Sequence, residues 1–269
     1  MTEQNAISLL SRLIETPSFS REENKTAELI EQFLSGEGIS ASRFLNNVWA
    51  VNQHFDPAKP TVLLNSHHDT VKPNPAWTLD PFKATVENGR ITGLGSNDAG
   101  GPLVCLIAAF VRFYNREDLP FNLVMAATAE EEISGRNGIE ALWPHLPAID
   151  AAIVGEPTQM QMAVAEKGLM VLDCLSRGKA GHAAREEGIN AIYLALPDIE
   201  WFRSYRFDRI SEMLGPVRMN VTVINAGQAH NQVPPECRFT VDVRVTDAYS
   251  PEEVLEIDRK STRLNSSHT

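Results

Sequence analysis

Histidine and carboxylate side chains collect at four places in this sequence, each directly after an apolar run or within a glycine-rich turn. His67, His68 and Asp69 follow the run Thr61–Asn65, and Asp98 lies in the turn Gly93–Gly101 ahead of an apolar stretch. Glu130, Glu131 and Glu132 follow Asn122–Thr128, and Glu156 follows Asp150–Val154 within Gly155-Glu156-Pro157. Singly, each has an ordinary reading: a structural histidine, a solvated acidic face, a turn. Together they describe a cation site, because carboxylates crowded into one place raise one another's pKa unless positive charge neutralises them. Imidazole with carboxylate oxygens suits Zn²⁺, and Mn²⁺ or Co²⁺ would be tolerated by the same donors.

Such residues can converge only if the elements before them lie side by side. Ile7–Ile14 and Thr26–Leu34 have helical spacing, and Leu103–Tyr114 reads as a buried helix opened by Gly100 and Gly101. Thr61–Asn65, Asn122–Thr128 and Asp150–Val154 read as apolar strands. Strands separated by helices predict an α/β domain over residues 1–166, a mostly parallel sheet with helices on both faces. Ligands of such sheets sit beyond the carboxyl ends of the strands, where the four clusters stand. From Lys167 the texture changes. Leu169–Leu175, Val217–Ile224 and Arg238–Val245 read as strands, the last with strict alternation of Phe239, Val241, Val243 and Val245 against polar residues. Asn190–Tyr205 reads as a helix kinked or broken at Pro197, and a further helix starts at Pro251. Residues 167–257 are therefore expected to form a smaller α+β domain.

Composition limits the function classes. The 269 residues are 43% hydrophobic and 22% charged, the balance of an average globular chain, which excludes disorder and a disulfide-stapled miniprotein. Lys and Arg number 24 against 35 Asp and Glu, a net charge of −11 without a basic stripe, which argues against a nucleic-acid partner. Cys105, Cys174 and Cys237 are widely spaced with no pairing motif and read as reduced thiols of a cytoplasmic protein. The N-terminus has helical spacing rather than the unbroken apolar stretch of a signal peptide, and the longest apolar run, Pro102–Val111, is about half a membrane span.

In order, the segments Ser66-His-His-Asp-Thr-Val71, Gly93 to Asp98-Ala-Gly-Gly101, Ala129-Glu-Glu-Glu-Ile-Ser-Gly135 and Val154-Gly-Glu-Pro-Thr158 resemble the M20 metallopeptidases. That family includes acetylornithine deacetylase, succinyl-diaminopimelate desuccinylase, carboxypeptidase G2 and related dipeptidases. The resemblance spans residues 1–257 and implies a pair of zinc ions, with His67 and Glu156 on one, Glu132 on the other and Asp98 between them. It makes Asp69 the carboxylate that orients the His67 imidazole. Glu131 becomes the general base that takes a proton from the attacking water and passes it to the leaving amine. Glu130 is also acidic, so a register one residue earlier is the alternative; His68 is implied to be a bystander. Gly178-Lys-Ala-Gly-His-Ala-Ala184 resembles the opening of the family's dimerisation domain. There the position of His182 reaches the active site of the partner subunit and hydrogen-bonds the oxyanion. Asn231 and Arg244 match positions that contact the substrate carboxylate or line the cleft.

The implied activity is hydrolysis of the amide of a small N-acyl amino acid by a cytoplasmic homodimer. N-acetyl- or N-succinyl-ornithine is the leading substrate, in arginine biosynthesis, because the loop Asn65–Asn74 and Trp77 resemble acetylornithine deacetylases. Succinyl-diaminopimelate desuccinylase or a small dipeptidase is the alternative within the family, and a non-catalytic binding module the alternative outside it. Residues 258–269 abandon the pattern of the helix before them and are similar to the in-frame translation of a short-read sequencing adapter. They are expected to be non-native, with the family's late histidine ligand and a return segment of the first domain missing. A chain so shortened is expected to be poorly stable, to bind its second metal weakly and to have little activity.

Overall fold

In a computed structural model describing residues 1–185, 187–261 and 266–268, the chain divides into two units, Met1–Gln161 and Met162–Thr269. The first unit begins with helices α1 (Glu3–Glu15) and α2 (Asn24–Gly36), then strands β1 (Ser42–Phe44), β2 (Asn47–Val51) and β3 (Thr61–His67). A small hairpin follows, β4 (Thr85–Glu87) with β5 (Arg90–Thr92). The unit closes with α3 (Gly101–Phe113), β6 (Asn122–Thr128), the single turn α4 (Ile139–Leu142) and β7 (Ala151–Val154). Its five-stranded sheet has the order β1-β2-β6-β3-β7. Strand β3 runs parallel to both β6 and β7, while β2 is antiparallel to β6 and to β1.

Successive residues of a strand point to opposite faces, and both faces of this sheet are apolar. Val48, Ala50, Leu64, Leu123, Met125 and Ala127 pack with Leu9, Ile30, Leu34, Ile107 and Phe110 of α1–α3. Their neighbours Leu63, Val124 and Ala126 pack on the other side with Leu142, Trp49 and Leu146. Two covered faces explain why β6 reads as an unbroken apolar run, buried at every residue. Each such Leu, Ile or Phe contributes about 1.5–3 kcal/mol by leaving water. The same burial holds the carboxyl ends of β3 and β6 in place, and β7, exposed along its length, is held at the sheet edge by its pairing with β3.

The second unit contains β8 (Gly168–Arg177), β9 (Gly181–His182), α5 (Ala191–Ser204), β10 (Arg218–Ala226), β11 (Gln232–Val233), β12 (Glu236–Val245), α6 (Pro251–Ser261) and β13 (Ser266–His268). An antiparallel sheet of order β10-β12-β8-β13 presents Leu172, Cys174, Phe239, Val241 and Val243 to Ala191, Ala195 and Phe202 of α5 and Val254 of α6. The kink or break expected at Pro197 does not end α5, which runs unbroken through it. Apolar contacts on both sides of the proline hold the helix to the sheet despite the missing N–H. Helix α6 continues past Ile257 through the buried Asp258 to Ser261. Of the tail singled out in the sequence, residues 262–265 and 269 lie outside the described residues. Among the described residues no helix is long and apolar enough to cross a membrane.

Candidate metal centre

The pairing His67↔Thr128 ends β3 and β6 at one level, and Asn65↔Val154 ends the parallel β7 two residues earlier on the same side of the sheet. The chain therefore releases His67–Asp69, Glu130–Glu132 and Glu156 around one point. Asp98 arrives from the turn Ser96–Gly100 that leads into α3. This turn depends on glycine: Gly95 has φ 73°, and a Cβ at Gly100 would strike the Gly95 carbonyl, which accepts the Gly100 N–H at 2.8 Å.

His67 is at the centre, almost fully buried. Its Nε2 is 3.2 Å from Asp98 Oδ1, 3.7 Å from Glu131 Oε2 and 3.9 Å from Glu156 Oε1. One donor atom each from His67, Asp98 and Glu132 lies within 4.8 Å of the others. On the far side of the ring, Nδ1 lies 3.0 Å from the Asp69 carbonyl oxygen and 3.3 Å from Asp69 Oδ1. These acceptors hold a proton on Nδ1 and leave Nε2 facing the carboxylates, a donor to them while the ring is charged and a free lone pair once that second proton is lost. Asp69 itself is wholly buried and accepts the Ser20 hydroxyl at 2.7 Å and the N–H groups of Glu131 and Glu132 at 3.0 and 3.2 Å. His68 turns away, its Nε2 bonded to the Asn46 carbonyl and its Nδ1 to Thr26 Oγ1, both at 2.9 Å.

Among the described residues, no lysine or arginine forms an ion pair with Asp98, Glu131, Glu132 or Glu156; His67 is the cationic partner of Asp98, Glu131 and Glu156. Burial opposes charge on His67, but the Asp69 carboxylate, then Glu156 and Glu131, outweigh it and hold its pKa at about 9. Glu156 is pushed up to about 7, first by burial and then by Glu131, Asp98 and Glu132, against the pull of His67. Burial and Asp98 raise Glu132 as well. Asp69 moves the other way: burial opposes its charge, but bonds from His67, Ser20 and the Glu131 N–H hold it below the usual range. A crowd of acids around one oriented imidazole, with no other counter-charge, is the donor set of a divalent cation. A cavity of about 330 Å³ lined by His67, Glu131, Glu156, Ser134, Ile139 and Val154 adjoins it.

The remaining candidates lie in the second unit. His182 on β9 is exposed and pairs in register with Gln232 of β11, next to Asn231, whose carbonyl accepts the Ala183 N–H at 3.0 Å. His182 Nδ1 accepts the Ala184 N–H at 3.2 Å, which leaves Nε2 as the donor of the neutral ring. Arg244 stands on the exposed face of β12, bonded to Asp242 at 3.0 Å. The structure thus groups His182 with Asn231 and places Arg244 on the four-stranded sheet.

The profile of peptidase family M20/M25/M40 matches residues 63–260, a span that takes in the whole cluster. The chain belongs to this family. Among M20 relatives, the succinyl-diaminopimelate desuccinylase of Cereibacter sphaeroides (strain KD131) is 30% identical over 262 residues, 91% of this chain and 68% of that protein. The acetylornithine deacetylase of Myxococcus xanthus is 30% identical over 251 residues, 91% of this chain and 62% of that enzyme. In fold, the M20 metallo-carboxypeptidase Sso-CP2 of Sulfolobus solfataricus superposes with a TM-score of 0.76 at 20% identity, covering 100% of this chain and 78% of that one.

Proposed function

We propose that the chain is a cytoplasmic metal-dependent amidohydrolase that removes an acyl group from the nitrogen of a diamino acid, N-acetyl-ornithine first. The observation that carries the reading is His67, oriented by Asp69 and faced by acids from three further chain segments. In this reading His67 and Glu156 would hold one zinc ion and Glu132 a second, with Asp98 available to both; Co²⁺ or Mn²⁺ would suit the same donors. The metals, when bound, polarise the amide carbonyl and make water acidic. Glu131 takes the proton of the attacking water and returns it to the leaving amine nitrogen. Residues 167–257 serve as a dimerisation domain, in which Nε2–H of His182 from a second copy donates to the developing oxyanion, while Asn231 and Arg244 take the substrate carboxylate. The desuccinylase relatives favour a second reading, N-succinyl-diaminopimelate, on the same machinery.

The test is a hydrolysis panel on zinc-loaded protein with N-acetyl-ornithine, N-succinyl-ornithine, N-succinyl-diaminopimelate and a dipeptide. Release of ornithine in the first two supports the leading reading, and preference for the diaminopimelate derivative supports the second. Glu131→Gln is expected to lower kcat by about 10²- to 10⁴-fold while metal content stays unchanged. Full activity in Glu131→Gln, or hydrolysis that persists undiminished once the metal is removed, would overturn the assignment.

A further inference from the structure

Three consecutive backbone N–H groups each donate to a buried carboxylate. Those of Glu131 and Glu132 go to Asp69, and that of Glu130 goes to Glu23 Oε1 at 3.1 Å. Glu23 has no place in the centre described above. It stands at the foot of α2, where its carbonyl accepts the Ala27 N–H at 2.9 Å, and it is wholly buried. Its Oε1 also accepts the Arg21 N–H at 2.7 Å, and its Oε2 accepts Asn46 Nδ2 at 2.9 Å. All three donors are neutral. A side chain needed only to fill this space would be apolar, because a carboxylate is expensive to bury and is kept where its acceptors hold something.

What it holds is Glu130, the residue before Glu131. Glu130 is in the left-handed region, φ 56° and ψ 22°, where a residue with a Cβ stays only if its surroundings keep it there. Glu23 grips its N–H, Asn137 Nδ2 grips its carboxylate at 2.8 Å, and the Gly135 N–H grips its carbonyl at 2.8 Å. If Glu130 left this conformation, the chain direction at Glu131 would turn with it.

We propose that Glu23 is a positioning residue for Glu131: by holding Glu130 left-handed, it aims the Glu131 carboxylate at the space before His67. The inference rests on the reading of Glu131 as the general base. Glu23→Gln keeps the volume but sets an amide donor where Asn46 or the N–H groups already donate. With zinc-loaded full chain and whichever panel substrate it hydrolyses, kcat is expected to fall about 10- to 100-fold, the scale of a small misplacement of a reacting group. KM should stay within about twofold, because ground-state binding is untouched. Co²⁺ affinity should stay within about threefold, since no metal ligand bonds to Glu23. Glu23→Asp, which keeps the charge, should recover part of the loss. Exchange of the Glu130 amide proton, slow in the parent, should quicken in Glu23→Gln.

Unchanged kcat in a folded Glu23→Gln, or a loss of kcat that only tracks a loss of metal, overturns the proposal. If that variant fails to fold, Asn46→Ala, which removes the donor to Oε2, should show a smaller fall in kcat, and none if the proposal is wrong. If the parent hydrolyses too little in the panel for kcat to be read, that bears on the functional reading and not on Glu23. The Glu130 amide exchange then still decides the Glu23–Glu130 link.

Discussion

Asp69 Oδ1 stands 3.3 Å from Nδ1 of His67 and also receives the N–H of Glu131 at 3.0 Å, so one carboxylate sets both the imidazole and the loop that carries the acids. Asp69→Asn keeps the shape but brings an NH₂ group among donors. Metal affinity is expected to fall about 10- to 100-fold, as for other groups that orient a metal-binding histidine. Isothermal titration with Zn²⁺ checks this, and an affinity equal to the parent's would remove Asp69 from that role.

Protons and metal compete at the centre. In the proposed reading a metal takes the unprotonated forms of His67 and Glu156, whose pKa values without metal are held at about 9 and about 7. Below about 7 both protons must leave on binding; between about 7 and 9 only that of His67 must. Apparent affinity should therefore rise with pH, more steeply on the acid side of neutrality. Co²⁺ titrations followed by the visible spectrum test this, and affinity independent of pH would contradict it.

The cysteines separate by exposure. Cys105 is exposed on α3, while Cys174 and Cys237 are buried, and burial, with Asp258, Asp198 and Asp173 adding to it, pushes the Cys174 thiol up to about 12. A thiol reagent on native protein should label Cys105 alone, and mass spectrometry of the digest reads the outcome. Because the folded protein keeps the Cys174 proton where the unfolded chain loses it, that stabilisation is complete below the ordinary thiol pKa of about 8.5 and fades as pH rises toward 12. Cys174→Ser should flatten the alkaline fall of the unfolding midpoint.

Two glycines make a matched pair. A Cβ at Gly135 would run into the Glu130 carboxylate, whereas one at Gly36, in the last turn of α2, would meet nothing within 4 Å. Gly135→Ala should lower kcat by loosening the loop. Gly36→Ala should leave activity alone and raise stability by about 0.5–1 kcal/mol, measured by denaturant unfolding.

The acids of the centre were legible because β3, β6 and β7 are apolar runs and the chemistry follows each at once, at His67, Glu131 and Glu156. The framework behind them was not. Ser20, Glu23 and Asn46 sit far along the chain from Asp69, Glu130 and Glu23, the groups they meet, and their polar side chains look like any loop until the fold brings them together. His68 shows the same limit: nothing beside it in sequence tells that Thr26 and Asn46 receive it. Among the elements, β1–β2 and β4–β5 are too short for a period to show. Pro197 read as a kink or break because local propensity is all a sequence displays, while the contacts of Ala191, Ala195 and Phe202 that keep the helix continuous are tertiary.

The level ending of β3 and β6 makes the sheet a gauge. Its two apolar faces can absorb an exchange of one aliphatic residue for another, but the count of residues from Thr61 to His67 and from Asn122 to Thr128 is a length, and each residue advances the chain by about 3.3 Å. One residue gained or lost within either strand would shift its acids or imidazole by as much as now separates His67 Nε2 from Asp98, and would turn them to the opposite face as well. Variation in this fold is therefore free in kind and rigid in number: the strands can be rewritten letter by letter, but not lengthened.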